Sequence, residues 1–319
     1  MDRRSFLTVA AAAILLPKDI LLPKRTSLLT RDFGWSTSYN DLYKSLYDVS
    51  SLENFGKNTV SCLWKAYTSV RKQQWNAHLQ KWGDCVGQAS GSGIDILTCC
   101  RISLEHKHEI YVEDSSTDMI YAGGRELAGR RGGAGMNGHE AVSWLKQYGN
   151  LLRLQYIINN KIFDLRPYSK ETCRRWDKSG VPTELKDLAK KHPLIKAVQV
   201  KSWEEARDSV ASGHPVILCG NQFGAEDDTR DEDGFIKPRG SWSHAWLIAG
   251  VQDGRRPGAC LINSHGEKFG TGPKTYDQPD GSVWIDAKYI DKQIKAHYDS
   301  FALTDYRGFD APNRNYIIW

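Results

Sequence analysis

With 319 residues and 40 % hydrophobic content, the chain can bury a substantial core, as one two-lobed unit or as two subdomains. Forty-three basic residues against 38 acidic ones leave a net charge of +5, and five of the basic residues fall within the first 25 positions, so the remainder is close to neutral. That balance makes no case for a nucleic-acid partner, and no stretch reaches the roughly 20 apolar residues that a membrane span needs.

At the N-terminus, Asp2-Arg3-Arg4-Ser5-Phe6-Leu7 is followed by apolar residues to Leu16. This resembles a bacterial twin-arginine export signal over residues 1–24, which implies a periplasmic or extracellular protein. Against it, Leu15-Leu16-Pro17 is not a small-residue cleavage motif. The alternative is a short leader on a cytoplasmic or virion-associated chain. Residues 25–74 carry scattered aromatics and the run Asp41-Leu42-Tyr43-Lys44-Ser45-Leu46-Tyr47, and are expected to form an N-terminal extension to a domain over 75–319.

The first chemical landmark is Trp82-Gly83-Asp84-Cys85-Val86-Gly87-Gln88-Ala89-Ser90. Val86, Ala89, Gly93 and Leu97 recur at helical spacing, which predicts a helix with Cys85 in its first turn. A helix N-terminus favours the thiolate, because its N–H groups and dipole point at the sulfur. Gly87, Gly91 and Gly93 each cost such a helix about 1 kcal/mol against alanine. The helix is therefore expected to be held by close packing rather than by propensity. Taken alone, Cys85 reads as an ordinary buried cysteine.

Further along, Gly132-Gly133-Ala134-Gly135-Met136-Asn137-Gly138 leads into Ala141-Val142-Ser143-Trp144-Leu145. His139 follows these glycines and reads as a polar residue on the first turn of a helix, with substrate contact as the alternative. His106 and His108 read as exposed loop residues. Trp203-Glu204-Glu205-Ala206 and His214-Pro215-Val216-Ile217-Leu218 follow. Residues 225–233 form an acidic run. A calcium loop would want Asp at Thr229 and Glu at Gly240, so a solvated loop is expected and no metal.

Residues 244–251 are apolar and rich in strand formers, as are 259–263, with turn residues Asp253-Gly254 between them. An antiparallel hairpin centred between Asp253 and Gly254 sets His244 roughly opposite Asn263. Opposed side chains have Cβ atoms about 4.5–5.5 Å apart, close enough for an amide to bond an imidazole. A thiol, an imidazole and a carboxamide in this order are the parts of an activated-cysteine acyl-transfer site. The other cysteines, Cys62, Cys99, Cys100, Cys173, Cys219 and Cys260, leave disulfides open, and no CxxC or His/Cys spacing suggests zinc.

In order and context, these segments resemble a papain-type cysteine peptidase in a divergent bacterial form. Gly83–Ala89 is similar to that family's nucleophile helix, Ser243–Val251 to its histidine strand, and Ile262–Gly266 to its asparagine strand. The likeness runs on through Phe269-Gly270 and Asp280–Ile285 and covers roughly residues 75–310. It implies an α+β, two-lobed fold, with a helical lobe over about 75–165, a β lobe over about 166–310 and a cleft between. It also implies Cys85 as nucleophile, His244 as general base then acid, and Asn263 as the orienting amide. Gln80, with the Cys85 backbone N–H, would form the oxyanion hole. Gly132, Gly133, Gly135, Gly138 and Ala245 would line the substrate cleft. Peptide or protein would be the substrate, no cofactor would be needed, and the acidic run would lie near the cleft rim.

The chain departs from the pattern in three places. Asp84 and Val86 flank Cys85 where the family has a small residue and an aromatic. Gln80 lies five positions before Cys85 rather than six. His265 stands where the family has a tryptophan shielding the asparagine–histidine bond, with Trp242 or Trp246 as substitutes. Cell-wall hydrolases of the NlpC-like or CHAP type also order Cys, His and a polar residue. A papain-like scaffold without activity, serving as a binding or structural protein, is a third reading. Transglutaminase-like folds usually carry Asp at the place of Asn263.

Overall fold

The structure, a computed structural model, describes residues 30–35, 54–105 and 108–310. Residues 1–24, expected to be an export signal, the run Asp41–Tyr47 and His106 lie outside the described residues. No described helix is long and apolar enough to cross a membrane.

The chain opens with the short strands β1 (Thr30–Asp32) and β2 (Val60–Cys62), then α1 (Trp64–Arg71) and the long α2 (Cys85–Leu104). There follow β3 (Glu109–Ile110), α3 (Thr117–Leu127), α4 (Gly138–Gln147), the hairpin β4 (Gln155–Ile158) and β5 (Lys161–Asp164), α5 (Lys170–Ser179) and α6 (Thr183–Ala189). The second half holds β6 (Leu194–Gln199), α7 (Trp203–Ala211), β7 (Val216–Gly220), β8 (Ser241–Gln252), β9 (Gly258–Ile262), β10 (Ser282–Asp286), α8 (Ala287–His297), β11 (Phe301–Tyr306) and β12 (Phe309–Asp310).

The main sheet runs β10-β9-β8-β7-β11-β6, with β1 and β2 added to β8. Its central strands β7, β8 and β9 are nearly continuous apolar runs, because α2 covers one part of the sheet and α7 and α8 others. The helix α2 is buried from Cys85 to Cys100, packed between α1 and α3 on one side and β7, β8 and β11 on the other. Its glycines explain how. A Cβ on Gly91 would lie 2.6 Å from the Thr117 methyl, and one on Gly93 would lie 2.7 Å from Leu303. The small residues thus let neighbouring elements approach too closely for alanine, which offsets their low helix propensity.

Two details differ from the sequence expectations. The helix α5 begins after residue 165 yet packs on α3, so the helical layer extends past the expected lobe boundary. The hairpin is also longer than drawn from its centre. Leu247 faces Ile262 and Ile248 faces Leu261, then a shift of one residue sets Gly250 against Cys260. The turn spans 253–257, and continuing the register puts Asn263 opposite Trp246 rather than His244. Because side chains alternate with period two, His244 and Asn263 still share a face, as diagonal rather than directly opposed neighbours.

Candidate active site

The site begins at the N-terminus of α2. Cys85 is the first residue of that helix, and both Cys85 and His244 are fully buried. Gln88, Ala89 and Ser92 of α2, Ala245 and Leu247 of β8, and Asn263 line one small cavity. Cys219 faces Ala245 across the sheet and is near enough to Cys85 to feel its charge.

The protonation of His244 follows from its neighbours. His244 Nε2 and Asn263 Oδ1 are 2.8 Å apart. The same Asn263 atom accepts the Ser264 backbone N–H at 2.8 Å, so it is the carbonyl oxygen of the amide. His244 Nε2 therefore carries the hydrogen and donates it. Nδ1 is left as the proton acceptor, buried and with no hydrogen-bond partner among the described residues. Burial, and after it the neighbouring His265, hold the His244 pKa well below the ordinary 6.5, against a smaller opposing effect of the Asn263 bond.

Aromatic rings seal this pair. Trp246 stands edge-on to His244 at 4.9 Å, Trp242 at 6.1 Å, and His265 lies 5.1 Å away. Both tryptophans named from the sequence as stand-ins for the family's shielding residue pack here, stacked on each other at 5.8 Å.

Gln80 reaches the same region despite its shortened spacing. Its backbone N–H bonds the Ser264 carbonyl at 2.8 Å, and its Oε1 accepts the Ser264 hydroxyl. That leaves Nε2 as a donor, and it bonds two backbone carbonyls, Trp82 at 2.7 Å and Phe33 at 3.1 Å. Ser264 was not singled out from the sequence, although it directly follows Asn263 in the quoted motif.

Asp84 is the N-cap of α2 but makes no side-chain cap. Its carboxylate turns instead to Gln88 Nε2 at 2.8 Å and Tyr168 OH at 3.0 Å. Burial pushes its pKa up to about 7, opposed by these two hydrogen bonds and reinforced by the Asp118 charge. A carboxyl raised from 3.8 to about 7 stabilises the fold below pH 3.8, and that contribution is lost as pH rises through 7. Such a rise corresponds to roughly 4 kcal/mol. Asp84→Asn is accordingly expected to raise the denaturant midpoint at pH 8.5 and to change it little at pH 4. Equal shifts at both pH values would show that the carboxyl does not titrate as argued.

The cleft glycines divide. Gly135 is buried, and its N–H bonds the Gly83 carbonyl at 3.0 Å, just before α2. Gly132 and Gly133 are exposed. Gly138 does not line an open cleft: its N–H is taken by Asp299 Oδ2 at 2.7 Å, and the Asp299 carbonyl fills the space a side chain would need. Ala245 is 1 % exposed and lines the small cavity shared with Gln88 and Asn263. His139 lies on the first turn of α4, its ring 3.4 Å from Asp299. The acidic loop 225–233 exposes Asp227, Thr229, Asp231 and Glu232 and is anchored by its other residues. Glu226 accepts the Trp242 indole N–H at 2.7 Å, and buried Arg230 bonds the Ser282 carbonyl.

A residue that sequence reasoning missed organises the glycine loop. Arg125, on α3, is 3 % exposed and ion-paired with Asp177, which is 2 % exposed. Its remaining N–H groups bond the carbonyls of Gly132, Ala134 and Gly135. Nothing in the local sequence marks it, because its partners lie on α5 and in the loop. Among the described residues no group of His, Cys, Asp and Glu could hold a metal ion, and no cysteine forms a disulfide.

No protein-family model and no curated protein matches this chain. Among solved structures, it is similar to xylellain, a cysteine protease from Xylella fastidiosa, with 15 % identity and a TM-score of 0.56 over 85 % of this chain and 94 % of that one. The Amb a 11 cysteine protease of ragweed pollen, in its proform, aligns at 15 % identity and TM-score 0.44 over 77 % of this chain and 65 % of that one. ProCathepsin B S9 from Trypanosoma congolense aligns at 11 % identity and TM-score 0.45 over 87 % and 82 %. The xylellain match carries the conclusion about architecture: the chain has the papain-like fold, a mixed helical and antiparallel arrangement.

Proposed function

We propose that the chain hydrolyses peptide bonds through a covalent acyl-enzyme at Cys85. The observation that carries this reading is the tautomer of His244, whose protonated Nε2 is held by Asn263 while Nδ1 stays a bare acceptor. In the proposed reaction the Cys85 thiol gives its proton to Nδ1, and the thiolate adds to the substrate carbonyl carbon. The oxyanion is met by Gln80 Nε2 and the Cys85 backbone N–H. As the tetrahedral adduct collapses, the C–N bond breaks and the His244 proton passes to the leaving amine. Water then gives a proton to His244 and attacks the thioester carbon; the C–S bond breaks, the acid leaves and the His244 proton returns to the Cys85 sulfur.

Gln80 supports the reading because its amide already holds a backbone carbonyl, that of Phe33. Removing that donor in Gln80→Ala is expected to lower kcat by about 10²–10³-fold with a smaller change in KM. The direct test is amine release from an unstructured peptide mixture, wild type against Cys85→Ala. Release by wild type alone supports the proposal. Equal release by both proteins defeats it, as does digestion of peptidoglycan in place of simple peptides.

A further inference from the structure

One end of the Asn263 amide has no part in the contact with His244. Its Oδ1 is taken by His244 Nε2 and by the Ser264 N–H, both at 2.8 Å. Its Nδ2 is buried and has no hydrogen-bond partner among the described residues, in a side chain that is 3 % exposed. A buried donor without an acceptor is costly, because it has given up its bonds to water. Asn263 lines a cavity of about 10 Å³, room for a single water molecule, together with His78, Gln88, Ser92 and Ser264.

The polarity of the groups leading to that cavity is fixed one link at a time. The Lys81 N–H donates to Tyr168 OH at 2.8 Å, so the phenol's own proton goes to Asp84 Oδ1, 3.0 Å away. Asp84 Oδ2 accepts Gln88 Nε2 at 2.8 Å. Asp84 thus takes two donors, as a carboxylate does, and the Gln88 NH2 is committed to it. The Gln88 Oε1 is left to face the other way. Burial holds the His78 pKa below 6.5, and Gln88 opposes this as a hydrogen-bond partner that favours the charged ring. Such a partner is an acceptor, which puts Oε1 on the side of His78 and the cavity. An acceptor therefore faces the cavity from α2, and a donor in need of one faces it from the residue after β9.

We propose that Gln88 is a positioning residue for the His244–Asn263 pair: through one water in the cavity, its Oε1 accepts from Asn263 Nδ2. An amide held at its nitrogen keeps its oxygen turned to His244, and so keeps the proton on Nε2. Asp84 belongs to the same arrangement, because its carboxylate decides which end of the Gln88 amide faces the cavity. The consequence for turnover rests on the proposed function; the orientation of the two amides does not. Ser92 is the rival acceptor, since its side chain lines the same cavity.

The test pairs peptide hydrolysis by the full-length protein with NMR exchange of the His244 Nε2 proton, which requires no turnover. Both are run at pH 8, above the value of about 7 to which burial pushes the Asp84 carboxyl. Gln88→Met keeps the length of the side chain and removes its acceptor. It is expected to lower kcat about tenfold, with KM within about twofold, and to speed exchange of the Nε2 proton. Asp84→Asn/Gln88→Glu swaps amide and carboxylate while every donor still meets an acceptor. This double variant should recover most of the lost rate and the slow exchange, which a merely structural role of Gln88 would not require. A Gln88→Met kcat within about twofold of wild type overturns the proposal. So does a double variant as slow as Gln88→Met at an equal melting temperature. Loss in Ser92→Ala without loss in Gln88→Met assigns the acceptor to Ser92 and overturns it too. If wild type cleaves no peptide, faster exchange in Gln88→Met than in the double variant keeps the positioning and removes the proposed function. Equal exchange in every protein, with cleavage unimpaired, keeps the function and removes the positioning.

Discussion

Peptide turnover is expected to fall by about 10⁴-fold when His244 is replaced by alanine, with Cys85 still present and the fold intact. The size follows from what one ring does in both halves of the proposed reaction. In that reaction Nδ1 takes the thiol proton before attack and gives it to the leaving amine. Asn263→Ala should cost less, because the base remains and only its tautomer and orientation are released. The measurement is steady-state hydrolysis of one peptide by wild type and both variants. A His244→Ala rate within tenfold of wild type would show that proton transfer runs elsewhere.

The same burial has a pH signature. The His244 pKa is held well below 6.5, so the ring stays a competent acceptor at pH values where an exposed histidine would already be charged. The acid limb of kcat/KM should therefore lie below pH 6.5. For stability the sign is opposite to that of Asp84: the favourable contribution of a buried neutral His244 is present above pH 6.5 and is lost as pH falls below it.

The largest expected effect on stability is at Arg125. Arg125→Leu leaves the Asp177 carboxylate buried without its partner, which typically costs about 3–5 kcal/mol. The variant should unfold at a markedly lower denaturant concentration with an unchanged slope. Arg125→Leu/Asp177→Leu should recover most of that loss, because replacing a whole buried pair with apolar groups is close to neutral. It should not recover the glycine loop, whose carbonyls at Gly132, Ala134 and Gly135 have lost their donor. A raised KM in a double variant of near-normal stability would separate the two roles of this side chain. A double variant as unstable as Arg125→Leu would instead mean that the carbonyl contacts carry the stability.

How much of this was legible in the sequence depends on how local each cause is. Periodicity over Val86, Ala89, Gly93 and Leu97 suffices for α2, and Cys85 begins it. The apolar runs suffice for β8 and β9, and for a shared face on which His244 can reach Asn263. The register between them was misplaced because a turn of five residues and a one-residue bulge leave no clear trace in composition. Gly138 was assigned to the cleft by its neighbours in the chain, whereas the Asp299 carbonyl that fills its space lies 161 positions away.

What the sequence by itself determined is therefore the inventory and its order: a helix led by a thiol, a strand with an imidazole, and a following strand that ends on a carboxamide. Each depends on residues within about one turn or one hairpin of each other, where hydrophobic period and turn chemistry act. Only the tertiary structure decided the rest. The Asn263 oxygen is identified by the Ser264 N–H, and so is the proton on His244. Asp84 turns away to Tyr168, Arg125 reaches both Asp177 and the loop, and Phe33–Trp35 lies against Gly83, Gln80 and Asp299. These are contacts between residues 47 to 264 positions apart, and pairings at such separation are set by packing of the whole core, which no local pattern encodes.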